Sequence, residues 1–378
     1  MPNTNQECNV FQRKDGRYCS AFTYGQNQRK YFYGSSEAEV KKKIKEFQKD
    51  LLKADHVEPT KPKLGTYILD WLEGGQKLAL KPKSYDTKRY IIDCFIIPYL
   101  GNCRLGDVQR IDIQKHITAL SRSYSRSTVK KVYDVLNQFY KYAIIDRMVT
   151  FNPVTGVVLP RKSDSNTKSI RFFTEDELKK ILDTAVEVYP TGTPVTRLGY
   201  AYQLIAYTGM RAGEAIALTW DDIDFDRKLI TINKNSVTVR NRDANADRKY
   251  VSLVQNSAKT ENSIRTIPMS NKAEFALKKL FDIDGGFRTV LATSTGEPVD
   301  HRNLARAFKG IQERAGIKNP GTLHSLRHTF ATRLIECGVD IKTISALLGH
   351  SDISITYDTY VHVLQKHKVK AIEELDNI

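Results

Sequence analysis

The stretch "TLHSLRHTFATRL", residues 322–334, is the one on which the reading of this chain turns. Leu323, Leu326 and Phe330 recur at the three- and four-residue spacing of one helical face. His324 and Arg327, three apart, share a face of the same helix. A helix that sinks leucines into a core while carrying a histidine and an arginine is built to present them. His324 and His328 also have the i, i+4 spacing of a zinc helix. The residue after the first histidine is Ser325, however, where a zinc protease needs a glutamate.

Three further segments set unusual polar residues in apolar surroundings. In "YTGMRAGEAIAL", residues 207–218, Arg211 lies in a turn of small residues, with Glu214 three positions on as a ready ion-pair partner. In "SAKTENSIRTIPM", residues 257–269, Lys259 falls at the tip of an expected hairpin that continues through Arg265. In "LLGHSDISITYDTYVHV", residues 347–363, His350 precedes two tyrosines, Tyr357 and Tyr360. Each segment alone has an ordinary structural explanation. Together they form a reactive set. Guanidinium forks bind the oxygens of a phosphate. A tyrosine hydroxyl can attack phosphorus and form an ester. A lysine can protonate a departing alkoxide, and a histidine can handle the nucleophile's proton. No carboxylate cluster suited to Mg²⁺ is present, and no phosphate-binding Gly-rich loop, so the sequence implies no metal, nucleotide or other cofactor.

Composition points the same way. The 378 residues carry a net charge of +16, which fits a polyanionic partner. Residues 59–170 hold 19 Lys and Arg against 9 Asp and Glu, so most of the excess sits in the middle third. Five scattered cysteines suggest neither a disulfide framework nor a zinc ribbon. No signal peptide or spanning apolar run is evident, so a reducing cytosol is the default compartment and no membrane partner is expected.

Working outward, residues 1–58 read as short strands with turns at Asp15-Gly16 and near Gly25, then a helix capped by Ser35 or Ser36 with Val40, Ile44, Phe47 and Leu51 on one face. Residues 64–158 read as four helices, the second stopped at Pro98. In the fourth, Val132, Leu136, Phe139 and Ala143 form the apolar stripe while Lys130 and Lys131 lie off it. Residues 159–171 are a basic linker containing Arg161 and Lys162. Thr174 and Glu177 have the spacing of a capping box, opening a domain over 172–363 that adds a strand at "LITINK" and the expected hairpin. Residues 364–378 form a tail with Val369, Ile372 and Leu375 on one stripe, a face that must dock somewhere. The fold class expected is multidomain and mainly α with small β-sheets.

The segments "TGMRAGEA", "KTENSIRTIP", "LHSLRHTFAT" and "LLGHSDISITYDTYVHV", in this order, resemble the tyrosine recombinase (phage integrase) family. The likeness is strong over 165–378 and looser over 64–160, which resembles the family's SAM-like core-binding domain. Residues 1–58 resemble the three-stranded arm-site-binding module of phage and conjugative-transposon integrases. The resemblance implies a site-specific recombinase that integrates and excises a mobile element through a 3′-phosphotyrosine, as a homotetramer on core and arm-type DNA sites, assisted by an excisionase and a host DNA-bending factor. It implies that Arg211 and Arg327 clamp the scissile phosphate, that Lys259 protonates the leaving 5′ oxygen, and that His324 handles the proton near the nucleophile. It implies that His350 hydrogen-bonds a phosphate oxygen and that the tail docks on a neighbouring protomer. The family's Tyr-x-His-Val context falls on Tyr360, not Tyr357. Lys14, Arg17, Arg29, Lys30, Lys130, Lys131, Arg161 and Lys162 are candidate DNA contacts. Two rivals stand beside this reading: a DNA-binding regulator that kept the fold without the chemistry, and a nicking–closing enzyme resembling type IB topoisomerases.

Overall fold

The computed structural model describes residues 10–13, 15–24, 28–55, 62–161, 170–243, 249–256 and 264–361. The chain divides into two compact units, residues 1–162 and 163–378.

The first unit opens with a three-stranded antiparallel sheet, β1 (Phe11–Gln12), β2 (Tyr18–Tyr24) and β3 (Gln28–Gly34), in that order. Helix α1 (Glu37–Asp55) packs Val40 and Ile44 against Phe32 of the sheet. Ser36 caps it through the Glu39 N–H, while Glu39 reaches back to the N–H and hydroxyl of Ser35.

A helical core follows. α2 (Leu64–Trp71) passes through a π-helical turn, Leu72–Gln76, into α3 (Lys77–Ala79). α4 (Pro82–Ile91) passes through a second, Ile92–Ile96, into α5 (Ile97–Leu100). α6 (Arg110–Ser123) and α7 (Arg126–Ile145) complete it. Val132, Leu136, Phe139 and Ala143 are fully buried, as their spacing predicts. Pro98 does not stop the helix where expected. The π turn resets the hydrogen-bond spacing, so Pro98 enters the first turn of α5, where a missing N–H costs nothing.

The second unit is α+β. Thr174 and Glu177 form the expected capping box at the start of α8 (Glu175–Ala185), each side chain bonding the other's backbone N–H. α9 (Tyr200–Thr208), α10 (Ala212–Ala217), α11 (Asn271–Asp284), α12 (His301–Arg314), α13 (Leu323–Glu336) and α14 (Ile341–Leu348) follow, and residues 353–361 are helical and are called α15. The main core gathers Ile181, Ile205, Leu277, Phe308 and Leu326 from five of these helices around a small sheet.

That sheet corrects the expected hairpin. β4 (Ile223–Asp224), β5 (Leu229–Ile232) and β8 (Arg265–Pro268) are antiparallel in the order β4-β5-β8. β6 (Lys234–Arg240) and β7 (Tyr250–Asn256) form a separate two-stranded ribbon. The two arms of the expected hairpin, β7 and β8, therefore pair with other strands, β6 and β5. Ile230 and Ile267 face each other fully buried, whereas Leu253 and Val254 of β7 stay exposed. Core burial thus gives β5 to β8 and leaves β7 to β6. Among the described residues no helix is long and apolar enough to cross a membrane.

Candidate active site

Two helix ends build the floor of the site. α9 ends at Gly209 and α14 at Gly349, both in the left-handed conformation with φ of 63° and 66°. Neither tolerates a side chain. A Cβ on Gly209 would lie 2.3 Å from the Phe330 ring, and one on Gly349 would lie 2.8 Å from Arg265 Nη1. Helix C-termini carry orphan carbonyls and partial negative charge. Here arginines collect them. Arg327 Nη1 donates to the Gly209 carbonyl at 2.9 Å, and its Nη2 donates to the Leu348 carbonyl at 2.7 Å. Arg265 Nε donates to the Leu347 carbonyl at 2.8 Å, and Arg211 Nη2 reaches the Gly349 carbonyl at 3.3 Å. Three successive carbonyls at the end of α14 are held by three different guanidiniums.

One carboxylate serves two of these arginines. Glu214 of α10, 4% exposed, accepts from Arg211 Nη1 at 2.8 Å and from Arg265 at 2.8 and 3.2 Å. It also accepts from the Arg211 backbone N–H. Burial alone would raise its pKa, but Arg265 and then Arg211 hold it down at about 2. Among the described residues, three guanidiniums against one carboxylate leave two positive charges uncompensated. Burial, and then the charge of Arg211, lower the pKa of Arg327 to about 9. This pocket is electrostatically short of an anion. Arg211 is the most accessible of the three.

Three histidines line the same region. His350, just beyond α14, lies with Nε2 2.9 Å from Arg327 Nη2 and Nδ1 2.7 Å from the Thr356 hydroxyl. Burial and the positive charge of Arg327 and Arg211 lower its pKa to about 4. His328 lies with Nδ1 2.8 Å from the Tyr360 hydroxyl, its pKa likewise lowered to about 4 by burial, His324 and Arg327. The His324 ring stands 4.5 Å from that of His328, edge to face, and its pKa is lowered by burial and by Arg327 and Arg211. All three imidazoles are therefore neutral near pH 7.

Tyr360 and Tyr357 part company. Tyr360 is 3% exposed and packs with Ala331, Ile335, Ile344 and Leu348, while Tyr357 is 44% exposed. Burial raises the Tyr360 phenol above its ordinary pKa, with Arg327 opposing. The structure brings Arg211, His324, Arg327, His350 and Tyr360 into one region; Lys259 lies outside the described residues.

Sequence reasoning set His324 beside the nucleophile, whereas the structure pairs the tyrosine hydroxyl with His328. Tyr360 packs on the Ala331–Ile335 stretch of α13, about two to three turns beyond His324 but starting one turn beyond His328, so His328 is the imidazole within reach. Two further contributors were passed over, Arg265 and Thr356. Arg265 carried a signal: on β8 it shares the buried face with Ile267, and an inward-facing strand arginine needs partners. Of the candidate DNA contacts, Arg17, Arg29, Lys131 and Arg161 are exposed, Arg17 being paired with Asp15. Lys30 lies 4.1 Å from the Phe47 ring centre, and Lys130 pairs with Asp134. Lys14 and Lys162 lie outside the described residues, as does the tail after 361.

The Glu214 arrangement has a consequence for stability. Glu214→Gln keeps the shape but removes the carboxylate shared by two guanidiniums, and costs about 3–5 kcal/mol. Because the folded pKa lies below the ordinary 4.5, this contribution is complete above about pH 4.5 and is lost as the pH falls toward 2. Thermal denaturation of both proteins should show a gap in Tm that closes over that interval. A gap independent of pH would contradict the assignment.

Residues 171–367 match the phage integrase family, and residues 63–121 match the N-terminal SAM-like domain of phage integrases. A tyrosine recombinase XerC-like protein of Caldanaerobacter subterraneus subsp. tengcongensis is 31% identical over 375 residues, covering 93% of this chain and 92% of its own length. Among solved structures, the Tn1549 transposon integrase in complex with transposon right end DNA superposes with a TM-score of 0.65 at 20% identity, covering 83% of this chain and 99% of its own. A lambda integrase tetramer bound to a Holliday junction superposes with a TM-score of 0.57 at 20% identity, covering 93% of this chain and 94% of its own.

Proposed function

Because the chain belongs to the phage integrase family and is a site-specific tyrosine recombinase, we propose that it moves a mobile DNA element by cutting and rejoining strands through a phosphotyrosine. Tyr360 Oη attacks the scissile phosphorus. A P–Oη bond forms, the P–O5′ bond breaks, and the DNA 3′ end stays on the enzyme. The phenolic proton passes to neutral His328, and Lys259 gives a proton to the leaving 5′ oxygen. Arg211, Arg327, His324 and His350 stabilise the charge that grows on the phosphoryl oxygens. In a water-poor pocket one such donor is worth about 2.7–4 kcal/mol of barrier. The phosphoester is conserved in the intermediate, so a 5′ hydroxyl of another strand can reverse the step without ATP.

The observation that carries this reading is the buried phenol resting on a neutral imidazole beside an arginine cradle with surplus positive charge. The named complexes of relatives with transposon end DNA and with a Holliday junction support duplex DNA as partner and a tetramer as the working assembly. We assign residues 1–58 to arm-type sites, 64–158 to core sites, 159–171 to a basic linker, 172–363 to catalysis, and 364–378 to docking on a neighbouring protomer. An excisionase and a host DNA-bending factor would set direction. Salt-dependent phosphate contacts would supply most of the affinity.

Two labelled duplexes copied from the ends of the encoding element test the proposal. Exchange of strands between them, without ATP, is the expected result. Relaxation of supercoiled DNA without exchange would point to a nicking–closing enzyme, and binding without any covalent adduct to a regulator; either would overturn it.

A further inference from the structure

We propose that Thr356 is a positioning residue of this site, the hydroxyl that partners His350 Nδ1 in either tautomer and ties the ring to the helix carrying the nucleophile. The inference rests on the strand-cleavage reading above and adds a residue to it.

A guanidinium has five N–H donors and no acceptor. Arg327 Nη2 lies 2.9 Å from His350 Nε2, so that nitrogen must supply the lone pair. A neutral imidazole carries one proton, which therefore sits on Nδ1. Nδ1 lies 2.7 Å from Thr356 Oγ1, so the hydroxyl accepts it. Thr356 is fully buried.

Thr356 lies four residues before Tyr360, on the same face of α15. The two buried side chains meet two imidazoles from different elements: Thr356 meets His350 beyond α14, and Tyr360 meets His328 of α13. The nucleophile helix is thus pinned at successive turns. One pin, through His350 and Arg327, reaches the arginine that receives the phosphate.

The tautomer matters for the reaction. With Nε2 bare, His350 accepts from Arg327 and has no proton to offer a phosphate oxygen. When phosphate engages Arg327, His350 must carry its proton on Nε2 to donate to that oxygen. The proton leaves Nδ1 and one is taken up at Nε2, by exchange with water and with no change in charge. A hydroxyl accommodates both states, because it can accept from Nδ1–H or donate to bare Nδ1. Serine can do the same. Valine, which matches threonine in shape, can do neither.

Nitrogen-15 NMR of the full chain with labelled histidine, with and without a nicked duplex copied from the element's end, reads the tautomer. Single-turnover cleavage of the same duplex reads the chemistry. His350 should be protonated on Nδ1 in the free protein and on Nε2 with DNA bound. Thr356→Val, which leaves His350 Nδ1 without a partner in either tautomer, should cleave about 10–100-fold more slowly with unchanged DNA affinity, in the range of outer hydrogen bonds to site histidines. Thr356→Ser should retain the partner and the rate. An Nε2–H tautomer in the free wild-type protein would overturn the proposal, as would a Thr356→Val variant that cleaves at the wild-type rate. Should Thr356→Val not fold, the wild-type spectrum and the serine variant still decide. Absence of cleavage by wild type would instead count against the strand-cleavage reading, with the free-protein tautomer still testing the Thr356 assignment.

Discussion

Tyr360→Phe should abolish covalent attachment to a nicked duplex, a loss of about 10⁵-fold or more, as when a nucleophile is removed from other enzymes of covalent catalysis. Tyr357→Phe should cleave at close to the wild-type rate. The contrast follows from position. Tyr360 sits in the apolar pocket between α13, α14 and α15 with its hydroxyl on His328, while the Tyr357 ring is open to solvent. Phenylalanine keeps the packing of the Tyr360 ring and removes only the oxygen, so the variant should fold and bind DNA. Acid should act on the same pair. His328 can accept the phenolic proton only while neutral, and its pKa is lowered to about 4. Cleavage should therefore persist through mildly acidic pH and fall as the pH approaches that value. A fall already complete near pH 6.5, the ordinary histidine range, would show that burial does not govern His328.

The second large effect is expected at Arg327. Arg327→Lys preserves the charge and loses the fork. One guanidinium serves the Gly209 carbonyl, the Leu348 carbonyl and His350 Nε2, which converge on it from separate elements. A single ammonium cannot span them. The buried carbonyls left without a donor cost about 1–3 kcal/mol each. Near Arg211 and out of water, a lysine would also tend to lose its proton. Single-turnover cleavage should drop by about 10²–10³-fold, the range for loss of one oxyanion donor, with Tm falling in parallel. Cleavage at the wild-type rate would mean that Arg327 is scaffolding alone.

The reach and the limits of sequence reading have physical causes here. Helices with long apolar stripes declared themselves: Val132, Leu136, Phe139 and Ala143 are all fully buried. So did the capping box of α8, because its chemistry is local. The pairing of β5 with β8 did not. Sheet partners are chosen by mutual burial across some forty residues, and no local period encodes that choice. Pro98 misled because the π turn that accommodates it depends on packing rather than on turn residues. Within the site, the polar residues stood out against apolar neighbours, yet their partners did not. That Tyr360 meets His328 rather than His324 is set by where α15 lands on α13. Thr356 offered no signal at all, being a small residue in a polar stretch, and its burial is a tertiary fact.

The chemistry proposed runs through one covalent bond, and peptide mapping after trapping on a nicked duplex tests that bond most directly. Digestion and mass spectrometry should find the nucleotide on the peptide containing Tyr360, joined through the DNA 3′ phosphate. A nucleotide on another residue, a 5′ linkage, or DNA-bound protein that never acquires an adduct would contradict it.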